Sequence, residues 1–322
     1  MQSAPRTKFN TLQLWNNFIS NLLAPGSSID GQLLSNLRQA VYAEIEAIRG
    51  RPLIVYAAKF QAQPGAPIAI DVTDVDAFTD LVSSFGPEIQ EIDVLIHSPG
   101  GDPAATERIV NILRTRFVKV HFLIPHSAYS AATMLALSGN TIVLHPSGTL
   151  GPIDPQINGV PARAIRRGFD KVKDTIKNEG PEALPAYIPL IEKHSLELLE
   201  ICEDSEKLSK ELVTDWLLKY MFNGDTNKEE QIGEAVLYFS DYDTHLIHSR
   251  PLSIDKLRQF NLQLSLADGE LKDLLWEAYI MVNGLLSITT MVKLFENTRG
   301  VSWARNFMVA TPAPQQTNLQ IG

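Results

Sequence analysis

The central part of the chain alternates short apolar runs with segments of helical periodicity. The apolar runs are rich in Val, Ile and Leu, which is typical of buried strands. They cover residues 53–58, 91–96, 118–125 and 141–144. Residues 103–117 and 130–138, which lie between runs, have helical spacing instead. Because strands alternate with helices, the pattern predicts a parallel sheet with right-handed crossovers.

The regions on either side of this core predict helices. Residues 8–48 have helical periodicity in two pieces, broken at 24–26, and a long helical region spans 190–221. The predicted organisation is an N-terminal helical region at 1–50, an α/β domain at 51–265, a C-terminal helical region at 266–310 with a helix over 268–297, and a disordered tail at 311–322.

Two local features precede the second strand. Residues 68–70 form a short apolar run after a Pro-Gly turn and predict a further strand. Residues 75–84 then predict a short helix, with Asp74 in the position of an N-cap.

Composition and charge exclude several classes of protein. The net charge is −9 and the pI is about 5.3, which argues against nucleic acid as the main partner. The single cysteine, Cys202, excludes an internal disulfide framework and fits a reducing compartment. The apolar stretch 274–295 is interrupted by Glu277 and Lys293, so we expect no membrane span. With no secretory signal at the start of the sequence, we expect a cytoplasmic protein.

Two motifs at strand ends carry the chemistry. Gly100 and Gly101 follow the strand 91–96, and glycine allows a turn that aims backbone N–H groups at a ligand. Ser130 begins an apolar helix after the next strand, where free N–H groups favour negative charge. Strand ends of an open α/β sheet are where ligands bind. We therefore predict an acyl-transfer site with Ser130 as the nucleophile and the N–H groups of Gly101 and Ala131 as the oxyanion hole.

Each motif also has an ordinary structural interpretation. Serine is a common helix cap, so Ser130 alone need not be a nucleophile. Gly100 and Gly101 alone need only make a turn. It is the occurrence of both motifs at this separation, 29 residues from Gly101 to Ser130, that favours a functional site.

These motifs resemble a known superfamily. The Ser-Pro-Gly-Gly turn at 98–101 and its distance from Ser130 are similar to those of the proteolytic subunit of the Clp protease. The loop 150–156, Leu-Gly-Pro-Ile-Asp-Pro-Gln, more closely resembles the serine dehydrogenase proteinase family, a relative of signal peptide peptidase A. The resemblance covers about residues 51–262 and, more weakly, extends to 300. It implies a Clp/crotonase-like fold, a twisted, largely parallel sheet wrapped by helices.

Two departures from the family pattern bear most directly on the chemistry. Ala132 stands where the family has glycine, two residues after the nucleophile, and adds a methyl group beside the oxyanion hole. A Clp-type histidine would fall at 152–154, where this chain has none. The general base must therefore come from another part of the sequence, or be missing.

Two residues are candidates for that base. His248 matches a family pattern of a histidine before a Pro-containing turn, and the resemblance puts it near the position of the Clp-type aspartate. An unperturbed histidine pKa of about 6.5 suits a general base. Lys193 resembles a lysine that precedes a long helix in the same relatives. A lysine base would have to be desolvated to lower a pKa near 10.4. Either residue could instead have a purely structural role.

The predicted function is an ATP-independent serine endopeptidase that acts on peptides or proteins. The residue spacings predict no metal site and no phosphate loop, so no cofactor is expected and any ATPase would be a separate chain. The resemblance implies a homo-oligomer. Two alternatives stay open: an inactive scaffold or partner-binding oligomer that keeps the fold, and a crotonase-type acyl-CoA enzyme, which shares the oxyanion architecture.

Overall fold

The computed structural model describes residues 6–23, 30–195 and 197–308. The predicted break at 24–26 and the predicted disordered tail at 311–322 lie outside the described residues.

The α-helices of the described ranges are numbered in chain order. The first six are α1 (Leu12–Leu22), α2 (Gly31–Arg49), α3 (Asp74–Ser83), α4 (Pro103–Arg116), α5 (Ala131–Leu137) and α6 (Ala162–Glu179). They are followed by α7 (Ile188–Ile191), α8 (Glu197–Trp216), α9 (Glu229–Ser240), α10 (Tyr242–His245), α11 (Ile254–Leu257) and α12 (Gly269–Ile288). Short 3₁₀ turns cover Pro181–Ala186, Thr226–Lys228 and Arg258–Phe260, and a π-turn at Leu217–Met221 continues α8.

The strands form one large sheet and two small ladders. The strands are β1 (Leu53–Ala58), β2 (Glu91–His97), β3 (Lys119–Ile124), β4 (Ser127–Ala128), β5 (Thr141–Leu144), β6 (Thr149–Leu150), β7 (Gln156–Ile157), β8 (Val160–Pro161), β9 (Leu264–Leu266), β10 (Met291–Asn297) and β11 (Ser302–Asn306). The large sheet has the order β11-β10-β1-β2-β3-β5-β9. It is parallel from β1 to β9, while β10 and β11 are antiparallel. The predicted largely parallel sheet is confirmed.

The side chains of β1 show why helices cover both faces of this sheet. Successive residues of a strand point to opposite faces, and every residue of β1 is buried. Ile54 and Tyr56 belong to a core cluster with α3, α4 and α5. Leu53 and Val55 belong to a second cluster with α1, α2 and α12. A sheet apolar on both faces needs helices on both sides, as the continuous apolar run predicted.

The predicted helix over 268–297 is wrong in its last third. Helix α12 ends at Ile288, and Met291–Asn297 is strand β10, antiparallel to β1. Two β-branched residues, Thr289 and Thr290, follow the helix, and Thr289 is already extended. Without β10, the wholly apolar β1 would be an exposed edge of the sheet. This long-range pairing is invisible in the local pattern. Between residues 269 and 306, the C-terminal region is a helix followed by a β-hairpin.

Two smaller predictions also need correction. Residues 68–70 do not form a strand, because only Ile70 pairs, through one isolated bridge to Gly101. Asp74 does not cap the following helix; it is the first residue of α3, and its buried carboxylate accepts hydrogen bonds from Lys293. The contact with a residue more than 200 positions away explains why a cap prediction from local sequence failed.

The most apolar stretch of the sequence packs inside the domain. Helix α12 lies against α2 and α1. Its buried Glu277 accepts hydrogen bonds from the Arg6 guanidinium and from the Phe9 N–H. In the described ranges, no helix has both the length and the apolar character needed to cross a membrane.

Two buried histidines lie on strands of the sheet. His97, at the end of β2, stacks on Phe60 and packs edge-on against Tyr279 and His126. Burial, and secondarily the neighbouring His126, lowers the pKa of His97 to about 3. Burial also lowers the pKa of His121, on β3, to about 4, with a further contribution from nearby arginines. Both imidazoles are therefore neutral in the folded protein at neutral pH.

We predict that these histidines make the fold less stable in acid. Below pH 6.5 the unfolded chain takes up protons that the folded chain excludes, so the free energy of unfolding falls as the pH drops from about 6.5 towards 4. In the wild type, His97 should account for roughly 1 to 2 kcal/mol of the fall in the free energy of unfolding between pH 6.5 and 5. Replacing His97 by Gln should remove this contribution. The measurement is urea unfolding at both pH values. Substitution of the exposed His194 is the control and should leave the pH dependence as in the wild type.

Candidate active site

The glycine turn after β2 lies directly against the start of α5. Ser98 pairs with Ala128 through backbone hydrogen bonds, which holds the turn beside strand β4. A Cβ placed on Gly100 would lie 2.4 Å from the Tyr129 carbonyl oxygen and 2.8 Å from the Ala131 nitrogen. Only glycine fits at this position, which also has a φ of +93°.

Gly101 is fixed from its other side by Ile70. The Ile70 N–H donates to the Gly100 carbonyl at 2.8 Å, and the Ile70 carbonyl accepts from the Asp102 N–H at 2.8 Å. A Cβ on Gly101 would lie 2.3 Å from the Ile70 backbone. Gly101 is thus enclosed by main chain at a φ of +156°, again a place for glycine.

Ser130 has a strained backbone at the N-terminus of α5. Its φ is +53° and its ψ is −125°, a combination rarely adopted by a residue with a Cβ. Such a conformation costs about 1 to 3 kcal/mol and is characteristic of functional sites. The Ser130 side chain makes no capping hydrogen bond to α5. The ordinary interpretation of this serine as a side-chain helix cap therefore fails, and Ser130 lines a cavity.

Two backbone N–H groups next to Ser130 are available to a ligand. Among the described residues, no hydrogen-bond acceptor engages the N–H of Gly101 or of Ala131. Ala131 is the first residue of α5, so its N–H is one of those a helix leaves without an internal partner. Ala131 directly follows Ser130, and Gly101 follows Gly100, which packs against Ser130 and Ala131.

His248 is paired with an aspartate that the sequence analysis did not single out. The His248 Nδ1 lies 2.8 Å from Asp154 Oδ1. Asp154 is buried, and its other carboxylate oxygen accepts a hydrogen bond from the Gln156 side chain at 2.9 Å. A carboxylate that accepts the Nδ1 proton fixes the tautomer, leaving Nε2 as the basic nitrogen.

Contacts with three other segments hold the loop that carries Asp154. The Leu252 N–H donates to the Leu150 carbonyl, which ties the loop to the segment that follows His248. The Ile153 N–H donates to the Phe239 carbonyl at the end of α9. The Gly151 N–H donates to the Thr133 hydroxyl of α5. The loop that holds the acid is therefore attached to the helix that carries Ser130.

Ser130 and His248 line one cavity of about 590 Å³. Its other lining residues are Ile68, Ala69, Pro99, Gly100, Gly101, Asp102, Pro103, Ala104, Met134, Ile153, Pro155, Gln156, Ser205, Leu208 and Ser209. Within the described chain the Ser130 and His248 side chains make no direct hydrogen bond to each other. The cavity brings together the candidate nucleophile, one candidate base and the glycine turn.

The structure does not bring Lys193 to this cavity. Lys193 is exposed just after α7, close to a second, apolar cavity of about 470 Å³ between α6 and α7. Ala132, the departure from the family glycine, is buried in the core and does not line the site. His97 is also buried away from the cavity, whereas Asp102 lines it and caps α4. Among the described residues, no group of three or more His, Cys, Asp or Glu side chains is arranged to hold a metal ion.

A signal for Asp154 was present in the sequence. The resemblance put His248 where a Clp-type aspartate would lie, and left 152–154 without the Clp-type histidine. An exchange of the acid and the base between the two positions accounts for both departures. Asp154 and Gln156 are the polar residues of the loop motif 150–156, so the motif contains the group that orients His248.

Comparison with known proteins gives the following similarities. The family model of the ClpP-like SDH-type serine proteinases matches residues 3–279. The uncharacterized protein MJ1495 of Methanocaldococcus jannaschii is 28% identical over 225 residues, 69% of either chain. A second uncharacterized protein of that organism, MJ0137, is 34% identical over 93 residues, 27% of this chain and 32% of that one. A solved mutant of 1510-N, a membrane-bound stomatin-specific protease, is 15% identical with a TM-score of 0.37, over 69% of this chain and 80% of that one.

We predict that Gly100→Ala is far more destabilising than the same change at a glycine in open space. The added methyl group would meet backbone atoms of Tyr129 and Ala131, which cannot give way. The expected loss is about 3 kcal/mol or more in the free energy of unfolding. Gly65→Ala is the matched control, since Gly65 has a φ of +82° and no atom within 4 Å of its Cβ position. The control should lose about 1 to 2 kcal/mol. Equal losses in denaturant unfolding would contradict the close packing of Gly100 against Tyr129 and Ala131.

Proposed function

Because the chain belongs to the family of ClpP-like SDH-type serine proteinases, we propose that it is a serine endopeptidase with Ser130 as the nucleophile and His248 as the general base. Membership of the family supports a serine peptidase in general terms. One observation carries the assignment of residues: the Asp154–His248 hydrogen bond, 2.8 Å long, at the cavity that also contains Ser130. An imidazole oriented by a buried carboxylate beside an uncapped serine is the arrangement that activates a hydroxyl.

The proposed acylation step uses these groups in turn. The Ser130 oxygen attacks the carbonyl carbon of the peptide while its proton passes to His248 Nε2. Asp154 holds the imidazole by Nδ1 and stabilises the imidazolium that forms. The N–H groups of Gly101 and Ala131 donate to the oxyanion, and the dipole of α5 adds to this stabilisation.

The intermediate then collapses and is hydrolysed. His248 gives its proton to the leaving amine as the carbon–nitrogen bond breaks, which leaves an acyl group on Ser130. A water molecule, deprotonated by the same imidazole, releases the acid and restores the serine. Each proton in this sequence moves between His248, Ser130, the substrate and water, so the chemistry requires no ATP.

The lysine alternative has no support from placement. The Lys193 side chain is exposed and outside the cavity that contains Ser130. A lysine base needs a desolvated site to lower its pKa, and this one lies in solvent. We therefore propose His248 alone as the base.

We also propose a cellular compartment and an assembly state for the protein. We propose a cytoplasmic homo-oligomer, which fits the free, buried Cys202. Helix α12 is covered within the chain by α1 and α2, so we do not propose it as the surface between subunits. Exposed apolar side chains on α7 and α8, Leu190 and Ile201, favour that part of the surface. Sedimentation of the purified protein measures the assembly state.

We predict that a fluorophosphonate probe labels the wild-type protein at Ser130. Labelling should be lost in Ser130→Ala, because the probe needs an activated serine. In His248→Ala and Asp154→Asn the labelling rate should fall by roughly 10²- to 10⁴-fold, since the proton acceptor is removed in one and held in the wrong tautomer in the other. Mass spectrometry of the labelled peptide identifies the modified residue.

Lys193→Ala is the control and should be labelled at the wild-type rate. If Lys193→Ala lost labelling while His248→Ala kept the wild-type rate, Lys193 would be the general base. Labelling that persists in Ser130→Ala would show that another serine is the nucleophile. A folded wild-type protein with no labelling would contradict the peptidase and favour the inactive scaffold.

A further inference from the structure

A lysine is completely buried beneath the segment that borders the glycine turn. The Lys293 side chain, on β10, has no exposed surface. Its ammonium group lies 2.7 and 2.8 Å from the two oxygens of Asp74 and 3.0 Å from Asp71 Oδ2. Asp74 is equally buried and also accepts a hydrogen bond from the Tyr56 hydroxyl. A charge this deep is tolerated only when it is paired, so the two carboxylates fix the position of Lys293 and are fixed by it.

This cluster is joined to the turn by a short stretch of backbone. Asp71 directly follows Ile70, and the Asp71 N–H donates to the Asp74 carboxylate. Ile70 makes both backbone hydrogen bonds that flank Gly101, one to the Gly100 carbonyl and one from the Asp102 N–H. Lys293 is thus connected to Gly101 through the carboxylates of Asp71 and Asp74 and then through the backbone of Ile70.

We propose that Lys293 is a positioning residue that sets the direction of the Gly101 N–H towards the oxyanion. The proposal rests on the proposed function for its catalytic consequence. Gly101 has no side chain of its own to restrain it, so its orientation depends on Ile70. Ile70 is in turn held by its neighbour Asp71, which Lys293 anchors. An oxyanion donor must be aimed to within a fraction of an ångström, so a loosened anchor slows the chemical step more than it weakens binding.

The same strand supplies a matched control. Glu296, three residues along β10, lies on the opposite face of the sheet and is also completely buried. It forms a bidentate pair with Arg38 and accepts a hydrogen bond from the Tyr42 hydroxyl. Arg38 and Tyr42 belong to α2, and among the described residues the pair makes no hydrogen bond to Ile70 or to the glycine turn. Breaking either pair destabilises the fold, but only the Lys293 pair should affect the site.

The test compares Lys293→Met with Glu296→Gln by fluorophosphonate labelling. Labelling is measured at a temperature where circular dichroism shows both variants folded. In Lys293→Met, we expect the rate constant at saturating probe to fall at least tenfold while the half-saturating probe concentration stays within twofold. In Glu296→Gln, both values should stay within twofold of the wild type even though the melting temperature falls. A lowered melting temperature in Lys293→Met with an unchanged rate would overturn the proposal.

A second measurement does not depend on activity. Amide hydrogen exchange at Ile70 and Asp102, the two donors of the clamp, should be at least tenfold faster in Lys293→Met than in the wild type. Glu296→Gln should leave it unchanged, and equal exchange in the two variants would refute the anchoring role. This measurement separates the two proposals, because exchange at Ile70 and Asp102 can be followed even in a protein that does not react with the probe. Failure of the proposed peptidase activity therefore does not decide whether Lys293 anchors the turn.

Asp71→Asn covers the case in which Lys293→Met does not fold. Asp71 is partly exposed, so removing its charge should destabilise the fold less than Lys293→Met does. The substitution still weakens the ion pair between Lys293 and the residue next to Ile70. We expect a threefold or larger drop in the saturating rate and faster exchange at Ile70. Wild-type values for both would also overturn the proposal.

Discussion

The site depends on the direct contact of backbone with backbone where Gly100 lies against Ser130 and Ala131. There is no room for a Cβ between them, so the turn after β2 and the start of α5 approach more closely than side chains would permit. This contact holds the glycine turn, with Gly101 next in sequence, against Ser130 and the first residue of α5. The parallel sheet makes the approach possible, because β2 and β3 are neighbours and the loops that follow them leave from the same edge.

The proposed base, His248, and the aspartate that orients it come from parts of the chain that are far apart in sequence. Asp154 lies in a rigid loop after β6, and His248 lies in a turn after α10. They meet because Leu252 pairs with Leu150, a single bridge between two segments about 100 residues apart. Compared with the Clp-type order that the sequence suggested, the histidine and the aspartate occupy exchanged positions. The geometry of a triad requires only that base and acid be adjacent, so either segment can supply either group.

The C-terminal hairpin shows how a distant segment completes the sheet. Strand β10 covers the apolar edge of β1 and places charged side chains on both faces, Lys293 towards α3 and Glu296 towards α2. Burying charges is costly, so each is paired with groups that it fixes in place. On the face of α3 the fixed groups adjoin the segment that clamps Gly101. The sheet and the site are therefore connected through buried ion pairs as well as through main chain.

The sequence by itself determined the parallel core, because apolar runs and helical periodicity are local properties of the chain. It also predicted a site at Ser130, Gly100, Gly101 and Ala131, since a glycine turn and a serine at a helix start after successive strands can be recognised from residue types alone. Only the tertiary structure placed His248, and not Lys193, at the cavity that Ser130 lines, paired His248 with Asp154, and turned the end of the predicted C-terminal helix into β10. Each of these depends on contacts between residues far apart in the chain, and no local pattern of hydrophobicity encodes which distant segments will pair.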